Sequence, residues 1–171
     1  MEYTVERVGP GDASTLARIH TESWRAAFGD IVSPEVIRAQ TAVDRVETLY
    51  REVLEGNTGN GYLLKVEGEP QCMAWWAAAR EETMPGYAEL ICIHSLPGRW
   101  RTGCGSRLLD TVLRDMAAAG YDRVMLWVFE QNMRARAFYE RHGFVPQSRV
   151  KLSWGAPEIC CERALRQGLE P

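Results

Sequence analysis

The sequence predicts one mixed α/β domain in which helices flank a central sheet. Three observations lead to this prediction. Apolar stripes with a helical period alternate along the chain with short runs rich in β-branched and aromatic residues. The run Val124–Phe129 is apolar at every position, which is typical of a central strand covered on both faces. The 171 residues show no repeat, low-complexity stretch or linker, so a single domain over residues 1–171 is expected.

The N-terminal third is predicted to form one strand followed by three helices. The strand covers Tyr3 to Val8. Asp12 is positioned to cap the first helix, and Ser33 to cap the second. Pro34 suits the first helical position, where its missing N–H costs no hydrogen bond. The third helix carries its own apolar stripe and ends at Gly56.

The middle of the chain changes to a strand-like pattern. Tyr62–Val66 and Gln71–Ala79 flank a short polar turn and are predicted to form a hairpin. After a polar loop, Tyr87–Ser95 is the next predicted strand. Trp75 and Trp76 are neighbours in a strand, so they must point to opposite faces and at most one of them lines a cleft.

The last third is predicted to contain two helices and two strands. One helix runs from about Gly105 to Ala119, and Val124–Phe129 follows as a strand. Asn132 is positioned to cap a helix from Met133 to His142. A final strand is predicted from about Glu158 to Leu165. No helix or strand is predicted between His142 and Glu158.

Composition and charge narrow the class of protein. Hydrophobic residues at 46% and charged residues at 25% are typical of a soluble globular chain. A net charge of −3 argues against a nucleic-acid partner. The N-terminal segment lacks the pattern of a secretory signal, and no apolar run approaches the ~20 residues that span a bilayer. We therefore expect a cytoplasmic location and no membrane partner. The five cysteines form no CxxC pair and predict no metal site.

A glycine-rich turn precedes the fourth helix. Ile91–Leu109 has the pattern of a strand, a loop with two glycines and an amphipathic helix. A helix N-terminus offers unpaired N–H groups to an anion, and glycine lets the backbone approach a pyrophosphate. Arg99, Arg101 and Arg107 add positive charge. The third glycine of a dinucleotide fingerprint and the lysine of a Walker loop are missing. Taken alone, the pattern also fits a plain helix start.

Two blocks of sequence together resemble the GCN5-related N-acetyltransferase (GNAT) superfamily. They are Glu89–Leu109 and Asn132–Phe144, and the similarity covers about residues 87–145. Trp100 departs from the pattern, because the family usually has Gln or Arg three residues before the first glycine. The resemblance implies a mixed, mostly antiparallel sheet whose middle strands splay apart. It also implies acetyl-coenzyme A as the co-substrate, with no metal, and a coenzyme-binding core over about residues 87–145.

The resemblance further implies where the coenzyme is held. The pantetheine arm would lie in the gap between the splayed strands and would contact Asn132. The nucleotide end would meet Phe138 or Arg141. The arm would bond to backbone groups of Ile93, His94 and Ser95. The pyrophosphate would be held by amides of Arg101, Thr102, Gly103, Cys104, Gly105 and Ser106.

Two catalytic roles also follow from the resemblance. Tyr139 would protonate the leaving thiolate, since it lies two helical turns after Asn132 and faces the same cleft. Glu89 would act as the base through water, with neutral His94 as the alternative. Plainer interpretations stay open, because Tyr139 also fits a buried helical stripe and Glu89 a solvated strand start.

The predicted reaction is acetyl transfer to a primary amine by direct attack in a ternary complex. Clustered tryptophans favour a small-molecule acceptor in an aromatic pocket: Trp24, Trp75, Trp76, Trp127 and Trp154. Two alternatives stay open, namely a protein N-terminus or lysine as acceptor, and a non-catalytic coenzyme-binding module. Members of this family often dimerise, so a homodimer is a further expectation.

Overall fold

The computed structural model describes residues 1–165, so residues 166–171 of the predicted domain lie outside the described range. The strands are β1 Tyr3–Arg7, β2 Asn60–Val66, β3 Glu69–Ala78, β4 Tyr87–Ser95, β5 Arg123–Phe129, β6 Val145–Ser153 and β7 Ala156–Ala164. The helices are α1 Ala13–Phe28, α2 Pro34–Gln40, α3 Val43–Glu55, α4 Cys104–Ala118 and α5 Met133–Arg141. The mixed α/β class is confirmed. None of the helices within residues 1–165 is both long and apolar enough to cross a bilayer.

The strands form one sheet in the order β1-β2-β3-β4-β5-β7-β6. Neighbouring strands are antiparallel except for β4 and β5, which are parallel. A parallel pair needs a crossover connection, and α4 supplies it. The prediction of a mixed, mostly antiparallel sheet is therefore confirmed.

The parallel strands separate soon after they meet. Within the described chain, β4 pairs with β5 at three positions, which end at Glu89 and Met125. Beyond them β4 continues against β3, and β5 continues against β7. Ile91 is an extra residue at the same place, because Leu90 and Cys92 pair with consecutive residues of β3. The predicted splaying of the middle strands is thus present, and it opens a gap in the sheet.

Helices cover both faces of the sheet. On one face, apolar residues of α4 pack against β2–β5 together with Tyr139 and Phe144. On the other face, α1 and α3 pack on β2 and β3. Neighbouring residues of β3 divide accordingly, since Trp76 joins the α4 core and Trp75 joins the α1–α3 core. This arrangement confirms that the two tryptophans point in opposite directions.

Two local predictions need correction. Asp12 occupies the N-cap position of α1 as predicted, but its side chain makes no capping hydrogen bond, because its carboxylate accepts from the Gly9 amide at 2.7 Å in the preceding 3-10 turn. The sequence predicted no strand where β6 lies. That strand is at the edge of the sheet, contains Pro146 and is largely exposed, so it lacks the apolar alternation that marks a strand. The caps at Ser33 and Asn132 are confirmed.

Candidate active site

A cleft of about 1220 Å³ opens where β4 and β5 separate. Its walls come from the start of α4 and from α5 on one side, and from α1, α3 and the β6–β7 turn on the other. The predicted site residues that line it are Glu89, Ile93, His94, Ser95, Arg101, Gly103, Gly105, Ser106, Asn132, Phe138, Tyr139 and Arg141. Thr102 and Cys104 do not line it. Among residues 1–165, no group of three or more His, Cys, Asp or Glu is placed to hold a metal ion.

The turn before α4 has the backbone shape of an anion site. Arg101 and Gly103 both have positive φ, 61° and 87°, and alternating backbone of this kind turns successive N–H groups into one concavity. The hydrogen bond from the Arg107 amide to the Gly103 carbonyl, at 3.1 Å, opens the helical ladder. The amides of Cys104, Gly105 and Ser106 come before that bond and are free of it.

Two residues of this turn direct their side chains away from the cleft. The Thr102 hydroxyl donates back to the Arg99 carbonyl at 2.7 Å. Cys104 is buried in the core beneath α4. Gly105 faces α5, and a Cβ at this position would lie 3.4 Å from the Phe138 ring, an ordinary van der Waals distance. The turn and α5 therefore lie next to each other at this point.

Trp100 is a platform for an arginine from α5. The guanidinium of Arg134 lies 3.3 Å from the centroid of the Trp100 indole ring. The indole N–H donates to the Ser95 carbonyl at 3.1 Å, which fixes the ring. Burial, and then the charge of Arg101, lowers the pKa of Arg134 from its ordinary value. Two guanidinium groups are therefore close together at the turn.

The cationic set at the turn differs from the predicted one. Arg107 is directed elsewhere, with its guanidinium 4.4 Å from the Tyr3 ring centroid, so its expected place at the turn was wrong. Arg134 takes that place and was missed. The sequence offered two signs of this contact: Arg134 is a basic residue two positions after Asn132, and Trp100 replaces the Gln or Arg that the family usually has. Within the described chain, Arg99, Arg101 and Arg134 have no carboxylate partner, although Arg99 donates to the Gln71 side chain at 3.1 Å.

The Ser95 carbonyl at the end of β4 is already hydrogen-bonded within the chain. It accepts from the Ser23 hydroxyl at 2.9 Å and from the Trp100 indole N–H at 3.1 Å, so both of its lone pairs are used. The backbone contacts predicted for Ile93, His94 and Ser95 stay predictions. Asn132 keeps its amide N–H groups available, because its cap uses the carbonyl oxygen, which accepts from Ala135 at 3.2 Å.

The Tyr139 hydroxyl is available for proton donation. The side chain is 9% exposed, and the hydroxyl has no hydrogen bond to any part of the chain described by the structure. Burial, and then the nearby thiols of Cys92 and Cys161, raises its pKa well above the ordinary value. The phenol therefore keeps its proton throughout the physiological pH range.

Glu89 is held by an arginine. Its carboxylate accepts from Arg80 at 2.8 and 2.9 Å, and its side chain is 3% exposed. Burial acts to raise the pKa of Glu89, but the hydrogen bonds and charge of Arg80 outweigh it and lower that pKa. A bidentate arginine reduces the basicity of a carboxylate. The catalytic role of Glu89 stays a prediction.

Two histidines meet on the α1 side of β4. The rings of His20 and His94 are 5.3 Å apart, and His20 Nδ1 is 2.8 Å from the Tyr50 hydroxyl. Burial, and then its neighbour His20, lowers the pKa of His94 to about 3. Burial lowers the pKa of His20 to about 4. Neither nitrogen of His94 is hydrogen-bonded within residues 1–165, and the lowered pKa keeps the ring neutral and makes it a weaker base than an ordinary histidine.

A continuous row of rings forms the cleft wall beyond these histidines. We call it the aromatic wall, and neighbouring ring centroids along it are 4.7–6.3 Å apart. Its members come from α3, α1, β5 and the β6–β7 turn, so no local pattern in the sequence shows that they meet. They are Tyr50, His20, Trp24, Phe28, Phe129 and Trp154.

Residues 16–144 match the sequence profile of the acetyltransferase (GNAT) family. Over 61 residues the chain is 44% identical to mycothiol acetyltransferase of Beutenbergia cavernae, a match that covers 36% of this chain and 20% of that protein. It is 25% identical over 136 residues to the probable N-acetyltransferase Rv2775 of Mycobacterium tuberculosis, which covers 79% of this chain and 75% of that one.

The fold is similar to that of the PaiA N-acetyltransferase of Thermoplasma acidophilum, solved in complex with coenzyme A. The TM-score is 0.74 at 20% identity, and the alignment covers 96% of this chain and 99% of that one. At this identity the similarity shows the fold alone. The sequence profile, in contrast, matches well over half of the chain. The protein therefore belongs to the acetyltransferase (GNAT) family and is an acetyl-coenzyme A-dependent acyltransferase.

Proposed function

We propose that this protein transfers the acetyl group of acetyl-coenzyme A to the primary amine of a small molecule, by direct attack in a ternary complex. One observation carries the proposal. A single cleft runs from a turn with unpaired cations to a wall of aromatic rings, and the Tyr139 hydroxyl lines it. The cationic turn suits a pyrophosphate, and the aromatic wall suits a compact organic acceptor.

The coenzyme would be held mainly by backbone groups and by arginine side chains. We propose that amides of residues 101–106 bind the pyrophosphate, with Arg101 and Arg134 neutralising its charge. Ile93 and His94 would supply backbone bonds to the pantetheine arm along the free edge of β4. Asn132 would contribute its free amide N–H groups to that arm. Phe138 and Arg141 would meet the nucleotide end.

The chemistry needs one proton donor and one proton acceptor. The amine nitrogen attacks the thioester carbonyl carbon, and the carbon–sulfur bond breaks as the amide forms. The departing thiolate takes a proton from Tyr139, whose raised pKa keeps it protonated until that step. The amine loses a proton to a base on the acceptor side of β4. Glu89, acting through water, and His94 are the two candidates for this role, and paired substitutions distinguish them.

A thiol-release assay tests this function directly. Purified protein is mixed with acetyl-coenzyme A and a library of amines, amino acids, aminoglycosides and lysine-containing peptides. Tyr139→Phe should lower kcat about 10²- to 10⁴-fold, because the thiolate loses its proton donor. The Kd for the coenzyme should not change. Full turnover in that variant would remove Tyr139 from the mechanism.

The same assay separates the alternative functions. A peptide as the fastest acceptor would indicate a protein acetyltransferase. Coenzyme binding without thiol release from any acceptor would indicate a non-catalytic module. A cytoplasmic location and a homodimer also stay predictions, and light scattering on the purified protein measures the oligomeric state.

A further inference from the structure

The tip of the β6–β7 hairpin holds a bulky residue in a strained conformation. Ser153 pairs with Ala156, so Trp154 and Gly155 are the two central residues of the turn. Their φ angles are 49° and 79°, which suits a turn that normally contains Asn-Gly. Tryptophan is an outlier in this left-handed region. Strained residues of this kind are concentrated at active sites and ligand-binding positions.

The side chain of Trp154 stands over the acceptor half of the cleft. Its ring centroid is 5.0 Å from that of Trp24 and 6.3 Å from that of Phe129, and it joins the aromatic wall at its open end. Even so, it remains 47% exposed. A half-exposed indole beside a cleft offers ring surface to a ligand.

The charged groups in this half of the cleft leave no carboxylate free. Among the described residues, the carboxylates that line the cleft are Glu89 and Glu158. Glu89 is paired with Arg80 at 2.8 Å. Glu158 accepts from the Ser153 hydroxyl at 2.6 Å and faces Lys151 at 4.0 Å. An acceptor with several ammonium groups would find no unpaired acid here. An acceptor carboxylate would have to compete with those acids for Arg80 and Lys151.

From this arrangement we infer that the acceptor is a monoamine with an aromatic body and no carboxylate, and that Trp154 holds its ring. The inference rests on the proposed acetyl transfer and adds the class of acceptor. The amine group points along the aromatic wall toward β4, where the attack takes place. Polyamines, aminoglycosides and free amino acids are disfavoured by the same charges.

Relative kcat/KM values test the acceptor class. The amines are 2-phenylethylamine, tryptamine, propylamine, phenylalanine, spermidine and an aminoglycoside, each with acetyl-coenzyme A. We expect the two aromatic monoamines to be fastest, with about a two- to tenfold advantage over propylamine from ring stacking alone. Highest rates with spermidine, the aminoglycoside or the amino acid would overturn the inference while leaving acetyl transfer intact. Coenzyme binding without thiol release from any amine would overturn both.

A hairpin variant tests the role of Trp154. Trp154→Asn creates the Asn-Gly pair that this turn favours, so the hairpin is retained. The ratio of kcat/KM for 2-phenylethylamine to that for propylamine should fall about two- to tenfold. Leu152→Ala is the matched control, because Leu152 is exposed on the same hairpin and does not line the cleft. An equal loss with both amines in Trp154→Asn would indicate a structural role and would overturn the assignment.

Discussion

The contact between Arg134 and Trp100 leads to a quantitative prediction about the affinity for the coenzyme. Replacing Arg134 with Ala removes one of the cations that have no carboxylate partner in the described chain. A hydrogen bond from a charged donor contributes about 1.5–3 kcal/mol, so the Kd for coenzyme A should rise about 10- to 160-fold. Isothermal titration calorimetry measures this change without any acceptor present.

For coenzyme affinity, Trp100 should matter mainly through Arg134, which it positions. Trp100→Ala removes a cation–π contact with a centroid distance of 3.3 Å, worth about 0.5–2 kcal/mol. The corresponding rise in Kd is about 2- to 30-fold. The double variant should bind much as Arg134→Ala does, because the ring then has no cation to position. Trp100→Phe keeps a ring face but loses the N–H bond to Ser95, so its effect should be smaller.

Two controls make this reasoning refutable. Arg107→Ala removes a cation of the same helix start that lies over Tyr3, and it should leave the Kd unchanged. Pantetheine lacks the pyrophosphate, so its affinity should be equal in the wild type and in Arg134→Ala. An unchanged Kd for coenzyme A in Arg134→Ala would refute the assignment, as would an equal loss for pantetheine.

Three further predictions concern the base, the histidines and the packing of β2. Glu89→Gln and His94→Asn test the two candidate bases. The variant that lacks the base should have a kcat about 10²- to 10⁴-fold lower, with the Kd for the coenzyme unchanged. A wild-type kcat in both variants would exclude both groups. Because folding lowers the pKa of His20 to about 4 and that of His94 to about 3, the unfolded chain binds more protons below its ordinary pKa of 6.5. Stability should therefore fall as the pH drops from 6.5 toward 4, and His94→Asn should flatten that slope in urea titrations. Gly61→Ala would place a Cβ 2.3 Å from the Trp75 ring and should cost about 1–3 kcal/mol by thermal unfolding, whereas Gly98→Ala, with open space around it, is the neutral control.

The sequence was sufficient for the parts of the fold with strong local patterns. The apolar run Val124–Phe129 predicted a strand covered on both faces, and its residues are buried except for Trp127, which is half-buried. The Gly103–Gly105 turn and the Asn132 cap were recognised from residues close together in the chain. The edge strand β6 was missed, because exposure on most of its side chains removes the alternation on which strand prediction depends.

The contacts that define the site were harder to predict, because they join distant segments. Arg80 pairs with Glu89 across the β3–β4 loop, and nothing in either residue's neighbourhood specifies that pairing. The contact between Arg134 and Trp100 spans α5 and the turn before α4. The orientation of Arg107 also depends on tertiary structure. Its position in the sequence predicted that it lies at the turn, but its side chain contacts Tyr3. Local sequence predicted which groups are present, and the fold determined how they are paired.

The doubly bonded Ser95 carbonyl has a consequence for how the two substrates communicate. One of its donors, Ser23, belongs to α1 on the acceptor side, and the other, Trp100, belongs to the turn on the coenzyme side. If coenzyme binding restrains the turn, these two bonds would also restrain the helix that carries Trp24 of the aromatic wall. By linkage, each substrate should then tighten the binding of the other by the same factor. One backbone oxygen thus joins the two halves of the cleft through hydrogen bonds, and we expect coenzyme binding to order the pocket that the amine enters.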